Sequence, residues 1–308
     1  MSFLLFVYRG EFMDIILGID VGGSTTKIVG FTTEGICIGM KQVKASDQVT
    51  SLYGAIGGFL MERKLELKNV CQIVLTGMGA SYIDDKIYGI DVIKLEEFLP
   101  IGRGGLYLTG LSQAYVVSIG TGTAFVRATQ EKCEHIGGSG VGGGTLMGLA
   151  DLLFHENRFE VVKEMALAGD PSKVDMTMGD ITTSEISTLP AYFTASNFGK
   201  IKATARKNDV AAGIVNMVLQ TAGMLAVFAC HNDTIKNIVF TGSLADIPQN
   251  REMCKILGQF HHLNFYIPEH TAFATAIGAA GYARISGEEE GIFFERMKKN
   301  QKGIGNEA

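Results

Sequence analysis

The sequence predicts an α/β protein of two domains, each a mixed sheet flanked by helices, and three features lead to that class. Residues 15–31 read as strand, glycine turn, strand. Beyond them, apolar runs alternate between strand and helix spacing. The strand, glycine turn, strand design then returns over residues 115–129. Three adjacent strands followed by alternating helices and strands are the order of a mixed sheet, and a recurring design indicates internal duplication.

Each element has its own signal. The runs on either side of Gly22 and Gly23 have strand length and β-branched content, and the two glycines let the backbone bend. Residues 36–43 supply a third strand. Residues 48–66 place Leu52, Ile56, Phe59 and Leu60 at helical spacing. Residues 71–76 form a strand running into Gly77, residues 91–95 another, and residues 96–113 a helix. In the second half the expected strands are 115–120 and 123–129, followed by a glycine loop, 137–144, and an apolar helix, 145–154. Residues 209–232 hold no proline and keep apolar residues in register, the pattern of a long buried helix that also suits a subunit interface. A strand at 237–241, a helix at 253–260, a short strand at 264–268 and a small-residue helix at 272–284 complete the pattern. The expected domains are 14–113 and 114–285, with 286–308 a solvated or frayed tail.

Composition narrows the function. With 308 residues and 46% hydrophobic content the chain can bury an extensive core. A formal net charge of -5 without a long basic run argues against a nucleic-acid surface, which needs clustered cations. Cys37, Cys71, Cys133, Cys230 and Cys254 are scattered, with no Cys-x-x-Cys pair, as expected of reduced and mostly buried thiols in a cytoplasmic protein. Residues 1–7 are apolar but lack the basic and cleavage regions of a signal peptide, and Met13 is an alternative start. No stretch reaches the roughly 20 uninterrupted apolar residues of a membrane span, since Asn216 and Gln220 break residues 210–230. Neither nucleic acid nor membrane is an expected partner.

The glycine turns carry the chemistry. Asp20 closes the first strand, where one carboxylate can hold a hydrated magnesium ion through water. Val21, Gly22, Gly23, Ser24, Thr25, Thr26 and Lys27 bring main-chain amides, hydroxyls and a cation to the same turn. The second turn, Ser118 to Thr123, offers close backbone approach and the Thr121 hydroxyl. Gly142, Gly143, Gly144 and Thr145 lie before a helix, whose amides attract anions, and Ser243 follows Gly242 at a strand end. Any one of these is an ordinary turn. Their order and strand contexts together indicate a clasp for a nucleotide's phosphates.

These motifs resemble the actin, sugar-kinase and Hsp70 superfamily, and within it the type II (eukaryotic-like) pantothenate kinases. The resemblance runs over residues 14–283 through 20–27, 118–123, 136–149, 194–199 and 237–243. It implies a duplicated actin-like (ribonuclease H-like) fold with ATP in a cleft between two domains, Mg2+, a homodimer, and phosphorylation of the hydroxyl of pantothenate as the first step of coenzyme A biosynthesis. Residues 118–124 hold no carboxylate where many superfamily kinases carry a catalytic aspartate, and the resemblance assigns the base to Glu97 instead. Glu96 competes, and both also suit the start of a helix as acids favoured by its dipole. Phe159 stands near an aromatic position of the nucleotide site. Ser118, Arg103 and His135 are the candidate substrate contacts. Three positions depart from the family: His135 replaces an arginine, Leu99 an acid and Arg103 a glutamine. Alternative functions are a kinase for an amino sugar, a non-catalytic nucleotide-binding protein, or an ATPase activator of a dehydratase, whose iron-sulfur cluster needs cysteines that residues 137–144 lack.

Overall fold

A computed structural model of the chain describes residues 14–45, 47–182, 190–285, 289 and 291–301. The apolar residues 1–7, the alternative start at Met13 and most of the acidic run 288–290 lie outside them. In chain order the elements are β1 (Ile15–Val21), β2 (Thr25–Thr32), β3 (Cys37–Lys44), α1 (Gln48–Arg63), β4 (Val70–Thr76), β5 (Lys86–Ile87), β6 (Ile90–Lys94) and α2 (Phe98–Thr109). There follow β7 (Gln113–Ile119), β8 (Thr123–Thr129), β9 (Cys133–Ser139), α3 (Gly143–Phe154), α4 (Phe159–Leu167), β10 (Met176–Thr177), α5 (Met178–Ile181) and β11 (Thr194–Ser196). The last are α6 (Lys207–Cys230), β12 (Asn237–Thr241), α7 (Pro248–His261), β13 (Asn264–Tyr266), α8 (Ala274–Ala280) and α9 (Ile292–Asn300).

The chain divides into two compact units, one running to Gly110 and resuming at Phe273, the other Leu111–Ala272. Their main sheets have one topology. In the first unit the order is β3-β2-β1-β4-β6-β5, and in the second β9-β8-β7-β12-β13. The three strands at the start of each order are antiparallel, whereas β1, β4 and β6, like β7, β12 and β13, run parallel. This is the expected duplication.

In the first unit the sheet is covered on both faces, and β1 is buried along its whole length. Leu17, Ile19 and Ile28 pack with Leu52, Ile56 and Phe59 of α1. Ile16, Val29, Phe31 and Val74 pack with Ala276, Ile277 and Ala280 of α8 and with Phe293, Phe294 and Met297 of α9. The small residues of α8 bring it against α2 at main-chain distance: a Cβ on Gly104 would strike the Ala274 carbonyl, and one on Gly278 the Pro100 carbonyl. This contact fixes the start of α2.

Three expectations change here. Residues 273–285 group with the first unit rather than the second, because α8 lies under β1 and α2. Part of the expected tail is helix α9, whose Phe293, Phe294 and Met297 are buried. The glycine loop also shortens, with β9 continuing to Ser139 and α3 starting at Gly143.

The second unit packs α3, α4, α6 and α7 over one face of its sheet, with Val117, Ile119 and Phe240 meeting Ile214, Val218 and Leu219. Helix α6 is long and apolar enough to cross a membrane by length and composition, yet 61% of its most apolar window is buried. It is the central core helix of this unit. Leu225 and Phe228 on it stay exposed. The cysteines are less buried than expected: Cys230 and Cys254 are enclosed, Cys37 and Cys133 partly so, and Cys71 is exposed.

Candidate active site

In the first unit the β1–β2 hairpin brings Asp20 opposite Lys27. The Lys27 Nζ stands 3.6 Å from Asp20 Oδ2, with side-chain exposures of 9% and 10%. Burial pushes the Asp20 carboxyl above its ordinary range, and the lysine charge opposes this. The turn itself closes through Gly22, whose amide donates to the Thr25 carbonyl at 3.1 Å. Gly22 and Thr25 are partly exposed, and Gly23 and Ser24 are open to solvent. The Val21 side chain belongs to the core. Thr26 is also withdrawn, its hydroxyl bonded to that of Ser51 on α1 at 2.8 Å. For these two, only the main chain faces the turn.

Gly77 completes this corner, though sequence alone singles out no role for it beyond a glycine directly after a strand. It adopts φ +87°, and a Cβ there would lie 2.6 Å from both Asp20 Oδ1 and the Val21 carbonyl oxygen. Any larger residue displaces the carboxylate. Beside it, Thr76 donates its hydroxyl to the Leu95 carbonyl at 3.2 Å, tying β4 to the segment that leads to Glu97.

The structure separates the two adjacent acids. Glu96 is exposed, whereas Glu97 is partly buried at the start of α2, with its own carbonyl accepting from the Ile101 amide. Burial raises the Glu97 carboxyl above the ordinary range, the Asp20 charge raises it further, and Lys27 pulls it down. A carboxyl so placed, raised above its ordinary range and within electrostatic reach of a buried acid and a buried cation, is suited to the role of proton acceptor. Arg103 does not join it. Six residues at about 100° each carry it roughly a third of a turn away from Glu97, and its guanidinium lies 5.3 Å from the Phe294 ring centre.

In the second unit the turn after β7 is tied to the start of α3. Gly120 donates to Gly122, Gly143 to the Gly120 carbonyl and Gly144 to the Thr121 carbonyl, each at 2.8 Å. The helix amides expected to serve an anion are therefore spent on holding the two turns together. Thr145 caps locally, donating its hydroxyl to the Gly140 carbonyl at 2.9 Å and receiving the Gly142 amide at 3.3 Å. Ser118 is partly buried, and Thr121 and Ser243 are on the accessible side of their turns. Phe159 opens α4 and lines an apolar crease with Leu146 and Leu244, packed against the core. His135 is exposed on the edge strand β9. Among the described residues no three His, Cys, Asp or Glu side chains gather as a metal site.

Two sheets of one topology, each opening on a hairpin with a glycine turn, define the duplicated actin-like fold shared by actin-like ATPases and sugar kinases. A solved structure of this class, the activator of the 2-hydroxyisocaproyl-CoA dehydratase from Clostridium difficile with bound ADPNP, superposes with a TM-score of 0.62 at 16% identity, covering 96% of this chain and 99% of that one. Within the class, the chain belongs to the Fumble family, whose profile matches residues 113–281, more than half of its length. The β1–β2 hairpin and Glu97 lie ahead of that span. A Type II pantothenate kinase from Bacillus cereus (strain G9842) is 29% identical over 245 residues, 75% of this chain and 84% of the relative. A pantothenate kinase from Schizosaccharomyces pombe is 30% identical over 179 residues, 53% of this chain and 44% of the relative.

Proposed function

We propose that this chain is an ATP-dependent kinase that phosphorylates the hydroxyl of pantothenate, the first step of coenzyme A biosynthesis. The observation that carries the reading is Glu97, a partly buried carboxyl raised by its surroundings and set beside the Asp20–Lys27 corner. The names of the Bacillus and Schizosaccharomyces relatives supply the acceptor. In this mechanism Glu97 takes the proton of the acceptor hydroxyl as its oxygen bonds to the γ-phosphorus and the bond to the ADP oxygen breaks. The Gly22–Thr25 turn and Lys27 bind the phosphates.

Magnesium fits this donor set. Asp20 is a single buried carboxylate, and with no three-ligand cluster among the described residues the protein alone does not cage an ion. That suits a hydrated magnesium that arrives with the nucleotide. When bound, it neutralises charge on the phosphate oxygens. Asp20 would hold it through water. The same reading includes a homodimer in the cytoplasm, with the exposed Leu225 and Phe228 of α6 as apolar surface for a second copy, and no nucleic acid or membrane partner.

The test is ADP release by the purified full chain over a panel of pantothenate, N-acetylglucosamine, glucose and no acceptor, with product mass measured. One phosphate gained by pantothenate per ADP released is the expected result. Turnover with an amino sugar and none with pantothenate overturns the proposal.

A further inference from the structure

The duplicated topology makes the ends of the two sheets comparable position by position. In the first unit β1 and β4 run parallel with Asp20 paired to Thr76, and Gly77 follows at φ +87°. In the second, β7 and β12 run parallel with Ser118 paired to Thr241, and Gly242 follows at φ +91°. Ser118 therefore occupies the place of Asp20, and Thr241 the place of Thr76.

The two threonines differ in one respect. Thr76 donates its hydroxyl to the Leu95 carbonyl, whereas the equally buried Thr241 Oγ1 has no partner. Burying a hydroxyl unpaired is costly, and valine fills the same space without that cost. The position therefore carries a hydroxyl for a reason other than packing. Its surroundings name the partner. Tyr115, Val117 and Ile119 of β7 and Ile238 and Phe240 of β12 enter the core under α3 and α6. Side chains alternate along a strand, so Ser118 and Thr241 share the opposite face as registered neighbours. Cross-strand serine and threonine hydroxyls at such positions can bond to each other.

We propose that Thr241 is a positioning residue, whose hydroxyl orients that of Ser118 toward the acceptor substrate; this rests on the kinase reading above.

The experiment is a steady-state series on the full chain with T241V, T241S, S118A and the S118A/T241V double variant, together with melting temperatures. T241V should raise the KM for pantothenate about fivefold to tenfold, the weight of one supporting hydrogen bond. Its KM for ATP should stay within twofold, and it should melt at or above the wild-type temperature. T241S should stay within twofold of wild type, and the double variant should be no worse than S118A, because the effect passes through one hydroxyl. An unchanged pantothenate KM in T241V, an equal rise in the KM for ATP, a lower melting temperature, or a full additional loss on top of S118A overturns the assignment. If the wild-type protein uses another acceptor, the functional reading fails by itself, and the same KM series is scored on that acceptor.

Discussion

Glu97→Gln is the perturbation that separates catalysis from architecture, because it should cost activity and gain stability together. The amide keeps the shape of the side chain at the start of α2 but cannot accept the substrate proton. General-base catalysis is worth about 10²–10⁴ in rate, so kcat/KM should fall by that factor, about 3–5 kcal/mol of transition-state free energy. The stability sign follows from the raised carboxyl. A folded-state value above the unfolded one favours the protonated form, so this contribution is fully present below the ordinary 4.5 and is lost as pH rises through the raised folded value. At pH 7.5 the wild-type protein therefore carries a burial cost that the glutamine lacks. E97Q should melt higher than wild type at pH 7.5, and the gap should close toward pH 4. E96Q, altering an exposed acid, should leave both quantities near wild type. Thermal melts across pH, paired with an ADP-release assay, read both. Retention of kcat/KM within tenfold, or a lower melting temperature for E97Q at pH 7.5, would refute the assignment.

Two further substitutions test the same corner. Lys27→Met leaves Asp20 as a buried charge without its partner, which costs about 3–5 kcal/mol in pairs of this burial. Urea unfolding should register that loss and a partial recovery in the Asp20→Asn/Lys27→Met double variant, whereas equal stabilities of the three proteins would contradict a coupled pair. Arg103→Ala removes a guanidinium that sits over Phe294 rather than in the site. It should cost about 0.5–1 kcal/mol of stability and leave the KM for pantothenate within twofold, so a tenfold rise would return Arg103 to the pocket.

Much of this was legible because local chemistry and fold agree. The opening hairpin shows in sequence since two apolar β-branched runs flank Gly22 and Gly23, and β8 falls at residues 123–129 as the repeated strand, glycine turn, strand design predicts. Helix α6 shows because its apolar stripe persists over many turns. What stayed hidden depends on contacts between distant segments. Nothing local in residues 273–285 says that they cover β1 rather than the second sheet. Gly143 and Gly144 read as anion donors until their amides are seen bonded to the preceding turn. Arg103 reads as a substrate cation because Phe294, far along the chain, is invisible from α2. Glu96 and Glu97 look alike in sequence, and only the fold shows that the first is exposed and the second partly buried.

The return of the chain to its first unit also sets a schedule. Ile16, Val29, Phe31 and Val74 precede by some two hundred residues of chain the helices that cover them, which begin only after Phe273. At about 5–20 residues per second, the span between Gly110 and Phe273 takes roughly 10–30 s to synthesise. For that interval this apolar sheet face has only part of its cover, from Tyr107 and its neighbours on α2, while the second unit is contiguous in sequence. The glycine contacts of α8 on α2 therefore wait for residues beyond Phe273, and the start of α2, where Glu97 sits, gains this support only after the second unit has been made.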